Sequence, residues 1–260
     1  LMGGWNIENM DYTSTLGQNT GVIDPEHPSL SLTDGELPKA QGNGSYSASL
    51  VGTFFRVNYG YKGKYLVEVS GRYDGNSKFP SNQRWGFFPS ASVGWRISEE
   101  PFMAGAKSWL DNLKIRASFG STGNGQVDNY LFLSKIAIKK NLGFLTGDSP
   151  LIYADKPSLI PDGLTWETVS TYDLGLDWEM LNGRLSIVAD IYRKKTTDMY
   201  VVGEELPAVY GNSAPKGNYA DMHTDGWEAS ISWRNTHTVG GKPLSYNCLL
   251  YTSDAADDKA

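Results

Sequence analysis

YLVEVSGRYD, residues 65–74, places Tyr65, Val67, Val69, Gly71 and Tyr73 on one side and Glu68, Ser70, Arg72 and Asp74 on the other. Strict period-two alternation is the signature of a strand with one apolar and one polar face. The same pattern returns in GFFPSASVGWRIS (86–98), where Phe87, Pro89, Ala91, Val93, Trp95 and Ile97 oppose Ser90, Ser92, Gly94, Arg96 and Ser98, with Phe88 as the one misfit. LKIRASFG (113–120) sets Leu113, Ile115, Ala117 and Phe119 against Lys114, Arg116 and Ser118. STYDLGLDWEM (170–180), RLSIVADIY (184–192) and GWEASISWR (226–234) continue the series, although Val188 and Tyr192 blur the polar face of the second. A weaker strand, Leu50 to Tyr59, carries Phe54 and Phe55 on both faces.

The connections alternate in length. Tyr61–Lys64, Asn182–Gly183 and Thr238–Lys242 are short, with Lys62-Gly63 and Asn-Gly pairs suited to tight hairpins. Gly75–Trp85, Gly125–Thr165 and about Val201–Asp225 are long and polar. The segment Glu99–Asn112, with Pro101 and a possible helical turn over Met103–Leu110, is the exception, because it falls where a short turn is due. Hairpin linkage predicts an all-β, antiparallel up-and-down meander of seven or eight strands, curved but unclosed. Long connections should emerge at one end and tight turns at the other, as in a transmembrane outer-membrane β-barrel of which this chain is an incomplete part.

Composition narrows the function classes. The chain has 260 residues, a net charge of −6, 12% aromatic residues and 29 glycines. An acidic chain without a basic stripe excludes nucleic acid as an expected partner. No run approaches 18 apolar residues, so no membrane-spanning helix is predicted, but alternating strands cancel in a mean hydropathy such as −0.39. The start, LMGGWNIENM, lacks the features of an export signal and reads as internal sequence. The lone cysteine, Cys248, opens the run CLLYTSDAADD, which resembles a translated sequencing adapter. Residues 248–260 are therefore read as an appended tail, residues 46–247 as the partial barrel, and residues 1–45 as a loop region with the end of a preceding strand.

A soluble β-sandwich that binds carbohydrate is the competing class, since its strands also alternate. Tyr65, Tyr73, Trp95, Trp178, Trp227 and Trp233 lie near strand ends on the apolar face. That is where an interfacial aromatic girdle belongs, and it favours the barrel.

Longer blocks carry a family likeness. FRVNYGYKGKYLVEVSGRYDGNSKFPSNQRWGFFPSASVGWRISEEPFM (55–103), LTWETVSTYDLGLDWEMLNGRLSIVADIYRKKTTDMY (164–200) and DGWEASISW (225–233) resemble the late barrel of SusC/RagA proteins among the TonB-dependent receptors. The resemblance covers most of Ser45–Trp233, with Gly125–Gly163 poorly matched. It implies a barrel of about 22 strands around a plug, seated in outer-membrane lipid and energised by the TonB complex through a segment N-terminal to this chain. It also implies a SusD-type surface lipoprotein as lid, and an oligosaccharide or peptide as substrate.

Catalytic and cofactor readings find little support. His27, His223 and His237 form no ligand pair, so neither a metal nor another cofactor is expected. FGSTGNGQ (119–126) lacks the Gly-Lys-Ser/Thr ending of a phosphate loop and reads as a turn. Glu167 and Asp177 resemble a glycosidase pair only superficially, since alternation makes Asp177 a wall residue. Asp74, Asn76 and Ser77 lack the full spacing of a calcium loop. Two candidate sets remain. Arg56, Glu68, Arg72, Arg96, Lys114 and Arg116 are candidate lumen-lining residues, which either line an import path or pair to stiffen the wall. Phe79, Trp85, Tyr130, Tyr153 and Tyr210 are candidate loop contacts for substrate or lid, with ordinary loop packing as their plain alternative.

Overall fold

In a computed structural model the described residues are 1–19, 21–29, 33, 39–139, 145–146, 149–150, 153–160, 163–211 and 213–255. Nine strands form one antiparallel sheet in chain order: β1 (Met2–Gln18), β2 (Lys39–Tyr61), β3 (Tyr65–Asn76), β4 (Trp85–Arg96), β5 (Leu110–Asn124), β6 (Glu167–Met180), β7 (Leu185–Val202), β8 (Lys216–Val239) and β9 (Lys242–Ala255). Each strand pairs with its sequence neighbours, and β1 and β9 are the open edges. Two two-residue ladders decorate the β5–β6 connection, one joining Ile138–Lys139 to Tyr153–Ala154.

The meander has nine strands where seven or eight were expected. The stretch expected to hold a loop region and the end of a preceding strand contains all of β1, whose alternation fails after Ile7, where Asn9 and Asp11 fall on the apolar side. β9 was set aside with the C-terminal run, whose contiguous Leu249, Leu250 and Tyr251 show no period. Strand pairing nevertheless crosses residue 248, since Cys248 lies opposite Trp233 and Ala255 opposite Gly226. The expected boundaries at 45/46 and 247/248 therefore coincide with no end of a strand, and residues 256–260 lie outside the described set. The loop expected over Val201–Asp225 shrinks to residues 203–215, because β8 begins at Lys216.

The register keeps the two faces apart. Tyr73 lies opposite Phe87 and Thr53, Val93 opposite Val67 and Ala117, and Leu174 opposite Ala117 and Ile191. This face is uncovered: Phe87 is 56%, Val93 53% and Ile191 58% exposed. The accessible surface is 18135 Å², against about 11,000 Å² for a compact globular protein of this mass. A sandwich would bury its apolar face against a second sheet, so the two-sheet alternative does not describe this chain.

Connections sort by end. Residues 19–38, 77–84, 125–166 and 203–215 join strands at one end, and residues 62–64, 97–109, 181–184 and 240–241 at the other. Among the short turns, Lys62 and Gly63, Asn182 and Gly183, and Gly240 and Gly241 adopt positive φ, as tight hairpins on twisted strands require. The segment 97–109 is built of two 3₁₀ turns, Ile97–Glu99 and Pro101–Ala106.

Among the described residues, a packed apolar core lies at the long-connection end. Phe79 (0% exposed), Phe88, Val127, Leu164 and Trp166 form it, with Leu50, Leu131 and Tyr200 against it. Trp166 stands 5.1 Å from Phe79 and 5.4 Å from Phe88 between ring centroids, and its indole Nε1 donates to the Arg84 carbonyl at 3.0 Å. Phe88, the misfit of its strand, lies opposite Arg72 on the polar face and fills this core. Gly123 makes room for it, because a Cβ there would sit 2.0 Å from the Phe88 ring.

Two outcomes are expected. An open sheet with two unpaired edges and an exposed apolar face should aggregate when expressed alone in buffer, and detergent should keep it dispersed. A cooperatively melting, detergent-free monomer in analytical ultracentrifugation would contradict that. Trp166→Ala removes a buried ring and its hydrogen bond, a local loss of about 3–5 kcal/mol. In the folded full-length protein it should expose Lys78, Arg84 and Lys135 to trypsin while the barrel itself stays resistant, and unchanged cleavage would mean that the core does not hold the loops.

Candidate functional site

The polar face carries two charged networks, each fixed by register. In the first, Arg116 on β5 reaches across β6 to β7. Its Nε donates to Asp177 at 3.1 Å, its Nη2 to Asp190 at 2.8 Å, and its Nη1 lies 3.7 Å from Asp173. Lys114 adds an ion pair to Asp177 at 3.5 Å. Gly175, paired with both Arg116 and Asp190, lets the guanidinium lie flat on the wall, since a Cβ there would meet Arg116 Cζ at 2.6 Å and an Asp190 oxygen at 2.4 Å. One guanidinium thus gathers three carboxylates from two neighbouring strands.

In the second network Arg72 Nε donates to both Asp74 oxygens, at 2.8 and 2.6 Å, and its Nη2 donates to the Asn6 side chain at 2.9 Å. Arg56 pairs with Glu68 at 3.3 Å, and Arg96 donates to Asn112 at 3.5 Å and to the Gly63 carbonyl at 3.4 Å. All six candidate lumen residues therefore lie on one face, and each is engaged with another strand or turn. These pairs are partly exposed, so their worth to stability is modest. Their geometric effect is to cross-link adjacent strands while leaving a hydrated, charged surface.

The loop candidates separate. Phe79 is corrected: it is fully buried in the core at the long-connection end and presents no ring to a ligand. Trp85 is corrected as well. It is the first residue of β4, lies opposite Gly75 on the apolar outer face, and stacks on Tyr73 at 5.1 Å with planes 9° apart. Phe79 does lie in the loop, residues 77–84, but turns inward, whereas Trp85 lies just beyond the loop in β4. Tyr130 is tied to the backbone of Ser47, whose N–H donates to its hydroxyl at 3.0 Å, and Lys135 Nζ lies 5.6 Å over its ring. Tyr153 sits in the short ladder beside Lys139, and Tyr210 is 63% exposed in a 3₁₀ turn.

Sequence reasoning passed over Asp173 and Asp190, the carboxylates that hold Arg116, and Trp166 at the centre of the loop core. Alternation put Asp173 on the polar face, but only the β5–β6–β7 register brings these groups together. Among the described residues no group of three or more His, Cys, Asp or Glu side chains is placed to hold a metal ion, and Asp74 and Asn76 are engaged with Arg72 and Lys78.

Comparison with known proteins places this geometry. The family model described as TonB dependent receptor-like, beta-barrel matches residues 3–260. TonB-dependent receptor P26 of Formosa agariphila is 30% identical over 90% of this chain, and TonB-dependent receptor SusC of Bacteroides thetaiotaomicron is 31% identical over 76% of it. The chain spans 26% and 20% of those two proteins. Among solved structures, that of the RagAB peptide transporter superposes with a TM-score of 0.71 at 22% identity, covering 96% of this chain and 27% of the solved one. A single alternating meander with an apolar outer face, matched along nearly its whole length, identifies this chain as a member of the TonB-dependent receptor β-barrel family, similar in sequence to SusC and in fold to the RagAB structure.

Proposed function

We propose that the complete protein imports glycans or other large nutrients, such as peptides, across the outer membrane, working with a SusD-type lipoprotein lid and driven by TonB. The observation that carries this reading is the two-sidedness of the wall. Its outer face is a largely apolar surface suited to lipid, and its inner face is a hydrated field of paired charges. The long connections form the extracellular rim and the short turns the periplasmic one. On this reading Arg56, Glu68, Arg72, Arg96, Lys114 and Arg116 line the lumen as a stiffened wall, and Tyr130, Tyr153 and Tyr210 face substrate or lid.

The family consists of receptors and transporters and is not an enzyme class.

Deleting the gene should abolish growth on one class of oligosaccharide or peptide, and affinity purification of the full-length protein should bring down a surface lipoprotein. Within it, Tyr153→Ala with Tyr210→Ala should weaken capture or lid binding. Each aromatic contact is worth about 0.5–1.5 kcal/mol, so about a fivefold to hundredfold loss is expected together. Heat-modifiability of the barrel should be unchanged. Equal loss of folded barrel would make these residues structural, and normal uptake with a normal lid complex would remove them from the rim contacts.

A further inference from the structure

The connection between β4 and β5 is out of proportion to its neighbours. Residues 97–109 stand at an end where the other turns are residues 62–64, 181–184 and 240–241. A short hairpin would have closed the same two strands, so the added length serves something other than connectivity. Its composition is informative: PFMAGAKSWL, residues 101–110, carries one charge.

Its placement is set by Glu100. The carboxylate accepts from the Tyr65 hydroxyl at 2.7 Å, the Trp95 indole Nε1 at 3.2 Å and Lys64 Nζ at 3.2 Å. Tyr65 and Trp95 lie opposite each other on the apolar outer face, at its very edge. The segment is therefore strapped to the outside of the wall, away from the charged inner face. The Tyr65 hydroxyl first, then the Trp95 indole, hold the Glu100 carboxyl below the usual carboxylate range. The strap thus persists at neutral pH and is lost only as pH falls below that range.

Phe102 is 69% and Trp109 46% exposed, and the neighbouring turn adds Leu181, whose N–H donates to the Trp109 carbonyl at 2.9 Å. The segment's one cation within this run, Lys107, pairs with Glu99 at 3.6 Å, which leaves no free charge between Phe102 and Trp109.

We propose that residues 97–109 form an interfacial foot, in which Phe102 and Trp109 insert among the phospholipids of the periplasmic leaflet, with Glu100 as the strap that aims them. The occupant is a phospholipid surface because Glu100 ties the segment to Tyr65 and Trp95 at the edge of the apolar face, and amphipathic aromatic rings favour the boundary between headgroups and hydrocarbon. The proposal rests on the barrel reading for its orientation. It adds an anchor that the strands alone do not supply, fixing the depth at which this sector of the barrel sits.

The test is spin-label accessibility in the full-length protein, reconstituted in phosphatidylethanolamine–phosphatidylglycerol vesicles on a cysteine-free background that includes Cys248→Ser. Labels are placed by Phe102→Cys, by Val93→Cys on the outer face and by Ser81→Cys in a long connection. The Phe102 position should match the Val93 one, being accessible to oxygen and shielded from a water-soluble nickel complex, while the Ser81 position shows the reverse. Adding Glu100→Ala should raise nickel accessibility at position 102 at least twofold without moving the Val93 value. Nickel accessibility at 102 equal to that at 81, or shielding from both reagents as in a protein contact, overturns the foot while leaving the barrel reading intact. Nickel access at Val93 overturns the barrel reading, and the foot with it.

Discussion

The structure depends on one constraint: every backbone N–H and C=O of a membrane-crossing strand must find its partner on an adjacent strand, because hydrocarbon offers none. An up-and-down meander meets this demand with local pairings alone, and the register of β2 through β8 runs with few interruptions. The ladder then fixes the sidedness of every side chain, since a slip of one residue would turn Val67, Val93 and Leu174 onto the charged face and Arg116 onto the apolar one. Lipid-facing surface, charged wall and rim all follow from that register.

Given the ladder, the inner face solves a second problem. Charged side chains on adjacent strands of a hydrated wall gain little free energy from pairing, but they cross-link β5, β6 and β7 through Arg116 and tie β1 to β3 through Asn6 and Arg72. Gly175 makes the closest of these contacts possible by leaving the backbone bare beneath the guanidinium. The result is a wall with one polar face whose charges at these positions are paired.

At the rim the physics changes from ladder to core. Phe79, Phe88, Leu164 and Trp166 come from the β3–β4 loop, from β4 and from the end of the β5–β6 connection, and they pack where the strands rise beyond the sheet's evenly paired centre. This small core gives the long connections a fixed anchor while the more distant aromatic residues, such as Tyr210, stay exposed. Rigid base and exposed tip suit a rim that must present side chains and still hold its shape.

Much of this was legible in the sequence. Alternation in 65–74, 86–98, 113–120 and 170–180 determined the strands and their faces, because side chains on a strand can only point to one side or the other. The spacing of tight turns and long connections determined the antiparallel order and the two ends. What alternation could not reveal were β1 and β9, where the period fails and pairing comes from the neighbouring strand. It was equally silent on Phe79 and Trp85, six residues apart, one buried inside the rim and the other stacked on the outer face. Such fates depend on how a loop folds back over the sheet. The carboxylates that hold Arg116 are likewise separated from it by 57 to 74 positions, and only the register of three strands decides that they meet.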